Sequence, residues 1–170
     1  MISFLFQTGQ PVNVVAGITW KMIKTIGQHG VARVPCDLKR KRRNLTNGTY
    51  GFVIGKNTMT LLDEMPDTPV RRRKRVSVFG RSTRTVERVI DKVADKEYAG
   101  VQDELDRRTG AASHRIYSRS IQAYWKDRVG EGRMKHDVSQ YMLGLPSRQR
   151  YSNDQLLKEY VRVEQLLRVL

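Results

Sequence analysis

Tyr50-Gly51-Phe52-Val53-Ile54-Gly55-Lys56-Asn57-Thr58-Met59-Thr60-Leu61-Leu62 reads as two short apolar runs, 50–54 and 58–62, joined by Gly-Lys-Asn. Glycine and asparagine tolerate the positive φ that a short hairpin loop demands, so the stretch predicts a β-hairpin and a β-rich first half. Upstream, Val12 to Ala16 is a β-branched run between Pro11 and Gly17. Trp20 to Ile26 fits either a strand or one helical segment ending at Gly27, and Val31 to Val34 is closed by Pro35. Downstream, residues 63–69 hold two of the five prolines and predict a loop. Residues 75–79 then alternate polar and apolar, as a half-buried strand does, before Gly80.

From Ser82 onward the apolar period becomes that of helices. Val86, Val89, Ile90 and Val93 share one face after a Ser82-Thr83 start, Val101 with Leu105 marks a short second helix, and Tyr117, Ile121, Tyr124, Trp125 and Arg128 define a third. Met134, Val138, Tyr141, Met142 and Leu145 form a fourth face that Gly144 and Pro146 end. Ser152-Asn153-Asp154-Gln155 has the form of a capping box, followed by Leu156, Tyr160, Val163, Leu167 and Leu170 at alternating spacings of four and three. Two heptads are too few for an independent coiled coil. The seam therefore docks either on this chain's own helices or on a partner.

The strand region is bracketed by Lys39-Arg40-Lys41-Arg42-Arg43 and Arg71-Arg72-Arg73-Lys74-Arg75, blocks without an acid. The whole chain of 170 residues carries 32 Lys and Arg against 17 Asp and Glu, a formal charge of +15. Residues 1–75 account for 14 basic and 4 acidic side chains, leaving 18 and 13 in residues 76–170, so the first half supplies most of the field. Packing like charges costs folding free energy through self-repulsion, and a phosphate backbone that releases counterions on contact is the partner that offsets it. Seven of the ten block residues are arginine, whose planar fork grips phosphate oxygens bidentately. Lys56, at the centre of the hairpin signal, joins them as a candidate contact. RNA and DNA both fit. Tyr50 and Phe52, on one strand face, suit core packing better than base stacking.

Other chemistry is poorly supported. Cys36 is the single cysteine, which excludes an internal disulfide and a thiolate zinc cluster and fits a reducing compartment. His29, His114 and His136 lie far apart, with no carboxylate spaced for a helical metal site, and read as surface or packing residues. The apolar run Met1 to Phe6 is too short for a signal-peptide core or a spanning helix. The sequons at Asn44 and Asn47 read as turn residues. Gly51-Phe52-Val53-Ile54-Gly55-Lys56-Asn57 resembles a phosphate-binding loop, but its glycines are one residue too close and Asn57 stands where a serine or threonine must hold magnesium.

Tyr141-Met142-Leu143-Gly144-Leu145 followed by Tyr151 resembles the end of a tyrosine recombinase catalytic domain, with Leu145 in place of the family's histidine. The resemblance implies that Tyr151 attacks a DNA phosphate while Arg148 or Arg150 stabilises the developing charge. Val78-Phe79-Gly80-Arg81-Ser82, with Ile116-Tyr117 and Trp125, looks like the β-rich domain that precedes the ATPase module of AAA proteins translocating the Rieske subunit. That resemblance implies a detached accessory domain.

The expected architecture is α+β: a basic, mostly antiparallel β unit at about 10–80 within region 1–80, then a helical unit at about 82–170 ending in an amphipathic helix over 153–170. The expected function is non-catalytic, without a cofactor or metal. It is that of a structural component of a nucleoprotein assembly, a ribosomal particle or a virion, which contacts nucleic-acid phosphates and docks on neighbouring proteins. A protein-only connector or assembly factor of a phage particle and a DNA-processing enzyme of recombinase type are the rival classes. The location that follows is intracellular or virion-associated, without secretion through a signal peptide or membrane insertion.

Overall fold

A computed structural model describes residues 1–36, 48–65, 77–80, 82–93, 118–145 and 149–167. Three strands, β1 (Ile23–Ile26), β2 (His29–Pro35) and β3 (Thr49–Ile54), form an antiparallel sheet in the order β1-β2-β3. Gly27 at φ 59° makes the tight turn from β1 to β2. The ladder pairs Ile23 with Ala32 and Arg33 with Gly51, and its last rung is Pro35 with Thr49.

Helices cover both faces of this sheet. On one face Tyr50 and Phe52 point toward α1 (Ile2–Thr8), where Phe4 meets Phe52 edge-on at 6.0 Å. On the other face a Cβ on Gly51 would lie 2.8 Å from the Arg33 guanidinium and 3.0 Å from Leu156. Only glycine leaves room there for both. Leu156 belongs to α7 (Asn153–Val163), which continues into a 3-10 turn over Glu164–Leu167. Between sheet and α7 the chain forms α3 (Lys56–Asp63), α4 over residues 83–93, α5 (Ser118–Glu131) and α6 (His136–Met142).

One core draws on the strand region and the helical region together, from Phe4, Val31 and Phe52 to Trp125, Met142 and Tyr160. The α+β class with a sheet followed by helices is what the structure shows. Trp125 of α5 closes the end of α1: its indole N–H donates to the Gln7 carbonyl at 3.0 Å, and its ring lies beneath Gly9. Among the described residues no helix is long and apolar enough to cross a membrane.

Two strand readings fail. Residues 58–62 are helical, so the expected hairpin is a strand followed by a helix. Gly55 adopts an extended N-cap conformation (φ −64°, ψ 156°), and burial falls on Thr58, Met59 and Leu62, a helical face. Val12 to Ala16 lies in helix α2 (Val12–Gly17) despite its β-branched composition. Here packing overrides propensity: Val12, Val14 and Val15 are all buried, and the helix end is satisfied when Ser77 Oγ donates to Ala16 O at 2.6 Å and Val78 N–H to Ile18 O at 2.8 Å. The strand expected at 75–79 reduces, in its described part, to one antiparallel bridge of Ser77 with Thr19. The helix expected at 101–105 lies outside the described residues.

Gly9 ends α1 in the left-handed conformation at φ 62°, and a Cβ there would meet the Trp125 ring at 2.7 Å. Gly9→Ala therefore combines backbone strain with overpacking and is expected to destabilise by about 2–4 kcal/mol. The measurement is the denaturant midpoint; an unchanged midpoint would contradict the packing described.

Candidate nucleic-acid interface

Both cationic blocks, 39–43 and 71–75, lie outside the described residues, but the positions that flank them are well defined. The chain leaves the sheet at Cys36 and returns at Gly48, and Cys36 N–H donates to Gly48 O at 2.9 Å just beyond the last β2–β3 rung. The second block ends two residues before Ser77, whose bridge to Thr19 stands just ahead of the 3-10 turn (Trp20–Met22) leading into β1. Because β1 and β2 are antiparallel, β1 begins at the end of the sheet where β2 finishes. Cys36, Gly48 and Ser77 are thus attachment points toward the same end of the sheet.

Lys56 is the one predicted phosphate contact that the structure describes. It is half-buried and opens α3 directly after Gly55, and its backbone N–H donates to Glu164 Oε1 at 2.9 Å. The other carboxylate oxygen pairs with His29 Nε2 at 3.0 Å. The strand-glycine-helix junction that resembles a phosphate loop therefore already faces an internal anion. A Cβ on Gly55 would lie 2.5–2.9 Å from Gln7 Oε1, Tyr160 OH and Glu164 Oε1, so the backbone passes through a ring of oxygens that admits no side chain. Gln7 Oε1 is buried there and has no hydrogen-bond donor among the described residues. Burial beside Glu164 raises the Tyr160 phenol far above its ordinary value, and its neutral O–H donates to Gln7 O at 3.3 Å.

Leu156, Tyr160, Val163 and Leu167 of the predicted partner-binding seam are all 0% exposed, so this face is taken up by the chain's own core; Leu170 lies outside the described residues. The capping box at its start is present, with Gln155 N–H on Ser152 Oγ at 3.2 Å and Ser152 N–H on Gln155 Oε1 at 2.8 Å.

Beside that cap stands Arg33, which the sequence reading passed over. From β2 its guanidinium donates to Asn153 Oδ1 at 3.0 and 2.6 Å, to Tyr151 O at 2.7 Å and to Tyr141 OH at 2.8 Å. An arginine among apolar strand residues was the available signal. These partners are neutral, and among the described residues no carboxylate pairs with it. Arg33 reaches the Tyr151 carbonyl and not its hydroxyl, which donates instead to Asp137 Oδ2 and to Gln149 Oε1. Burial, with Asp137 adding to it, pushes the Tyr151 phenol up to about 12. That is the reverse of what an attacking phenolate requires. Arg150 is exposed and Arg148 lies outside the described residues.

No protein-family model matches this chain, and comparison with curated proteins and with solved structures finds no match.

The Tyr151–Asp137 bond makes a pH prediction. It holds the Asp137 carboxyl below its ordinary 3.8, so that contribution is present above the unfolded value and is lost as pH falls through the folded one. The raised phenol contributes below pH 10.0 and is lost as pH climbs toward 12. The stability gap between wild type and Tyr151→Phe is therefore expected to be widest near neutrality and to narrow toward both extremes. Chemical denaturation across pH checks this; a gap that does not vary with pH would remove the bond from the account.

Proposed function

We propose that this protein is a basic, non-catalytic structural component of a nucleoprotein assembly, of the ribosomal-particle or virion kind, that contacts nucleic-acid phosphates through Lys39–Arg43, Arg71–Arg75 and Lys56. The observation that carries the reading is charge: two acid-free blocks in a chain of net +15. Cys36, Gly48 and Ser77, the described residues that flank the first block and follow the second, lie toward one end of the sheet, which supports it. Contacts with neighbouring proteins fall to surfaces other than the α7 seam, which is internal.

Replacing the ten block residues by glutamine tests the proposal. The logarithm of affinity should fall linearly with the logarithm of salt concentration for the wild type, and the variant's slope should be shallower by about 0.9 for each duplex phosphate that it no longer neutralises. Equal slopes would sink the assignment. A wild type without salt-sensitive affinity would instead favour a protein-only connector.

A further inference from the structure

The turn between α5 and α6 places an arginine where the other left-handed positions among the described residues hold glycine. Among the described residues positive φ falls on Gly9, Gly27, Gly80 and Gly144, and on one residue with a side chain, Arg133, at φ 56°. Helix α5 ends with Met134 N–H on Val129 O and Arg133 N–H on Gly130 O, both at 3.0 Å, the paired bonds of a Schellman motif. Helix α6 ends the same way, with Leu145 N–H on Gln140 O at 3.0 Å and Gly144 N–H on Tyr141 O at 2.9 Å. There the left-handed position is Gly144. A Cβ in that conformation is sterically unfavourable, so Arg133 costs stability that glycine would not. The glycine next to it serves a different purpose: a side chain on Gly132 would overlap Val163 of α7.

The side chain so placed is exposed and makes no hydrogen bond or ion pair among the described residues. Lys135 Nζ lies 3.9 Å from Glu159 Oε1, and Arg162 NH1 lies 3.6 Å from Glu159 Oε2, so two cations share one largely buried carboxylate. That carboxylate also accepts Lys135 N–H at 3.3 Å. Lys158 is exposed one turn before Arg162 on the same side of α7, a like-charge spacing that disfavours the helix. The nearby acids are engaged: Glu131 with Arg128 at 2.8 Å, Asp137 with the Tyr151 hydroxyl. Asp154 stands in the first turn of α7, where the helix amides draw on its charge.

We propose that this turn is a second phosphate-contacting surface, in which Arg133, Lys135, Lys158 and Arg162 grip backbone phosphates of the nucleic acid assigned above to the cationic blocks; it rests on that reading. Strain held at an exposed cation without an internal partner is accounted for by an external anion. Arg133 offers the planar fork that suits phosphate oxygens, and its backbone is already fixed by the Schellman bonds.

Arg133→Gly separates binding from folding. A merely structural arginine predicts a higher melting temperature and unchanged binding. The proposal predicts an equal or higher melting temperature together with weaker binding to duplex DNA and single-stranded RNA oligomers, uniformly across sequences. The salt slope should be shallower by about 0.9 on duplex or about 0.7 on single strands. The double variant Arg133→Gln with Lys158→Gln, which keeps a Cβ at 133, should roughly double the change. Wild-type slopes in both variants, while the block variant loses affinity, would overturn this proposal and leave the block reading standing. A wild type with no salt-sensitive binding would overturn both. Variants that lose affinity for poly-L-glutamate but keep that for both nucleic acids would assign the turn to an acidic protein and overturn it as well.

Discussion

The guanidinium of Arg33 ties the sheet to the last two helices. It projects from β2 over Gly51, and its four donated bonds reach α6 through Tyr141, the α6–α7 connection through the Tyr151 carbonyl, and the first residue of α7 through Asn153. A half-buried guanidinium without these acceptors would be severely destabilising, so the positions of Tyr141, Tyr151 and Asn153 are jointly constrained by one charge. Gly51 is the complement of that constraint: a Cβ opposite Arg33 would displace the guanidinium and Leu156 together. Because α7 is docked at its start by Arg33 and at its end by Glu164, its apolar seam has one place to go, the core.

Four acids of the described residues hold partners within the fold. Glu164 holds the first amide of α3 and His29, Glu159 holds the amide of Lys135 and two cations, Asp137 holds the Tyr151 hydroxyl, and Glu131 pairs with Arg128. Arg33, by contrast, is satisfied by neutral oxygens. Two of these carboxylates, Glu159 and Glu164, are buried, so they lower the charge count without standing at the surface. Of the acids described from position 76 onward, Glu159 and Glu164 are buried and the others stand exposed among the cations.

What could be read in advance follows from how local each signal is. The capping box at Ser152 and the left-handed Gly144 are decided by neighbours within a few residues, and both stand in the structure as the sequence implied. The seam Leu156, Tyr160, Val163 and Leu167 was equally legible as a pattern, whereas its partner was not, because burying an apolar face on the same chain or on another leaves one sequence signature. Thr58–Leu62 failed for a non-local reason: the carboxylate that caps α3 comes from Glu164, more than a hundred residues away, and no window around Gly55 contains it. Val12–Ala16 failed likewise, since Ser77 and Val78 satisfy the end of α2. Arg133 left no sequence trace, for its anomaly is a backbone angle set by the paired bonds that end α5 at a position where glycine is the expected residue.

On the proposed reading, these constraints bear on how much each cation contributes to contact with a polyanion. A cation contributes to binding what remains after the loss of its own freedom, and a side chain whose backbone is already fixed has less to lose. Arg133 is fixed by the turn that ends α5, while Lys135 and Arg162 are oriented by a shared, largely buried carboxylate. Glu159 thereby acts as a strut: it holds two cations in place and leaves their outer donors free, at a screening cost limited to one negative charge. A few cations so arranged contribute more per residue than a freely sampled run, so the placement of acids beneath cations matters to affinity as much as the number of cations.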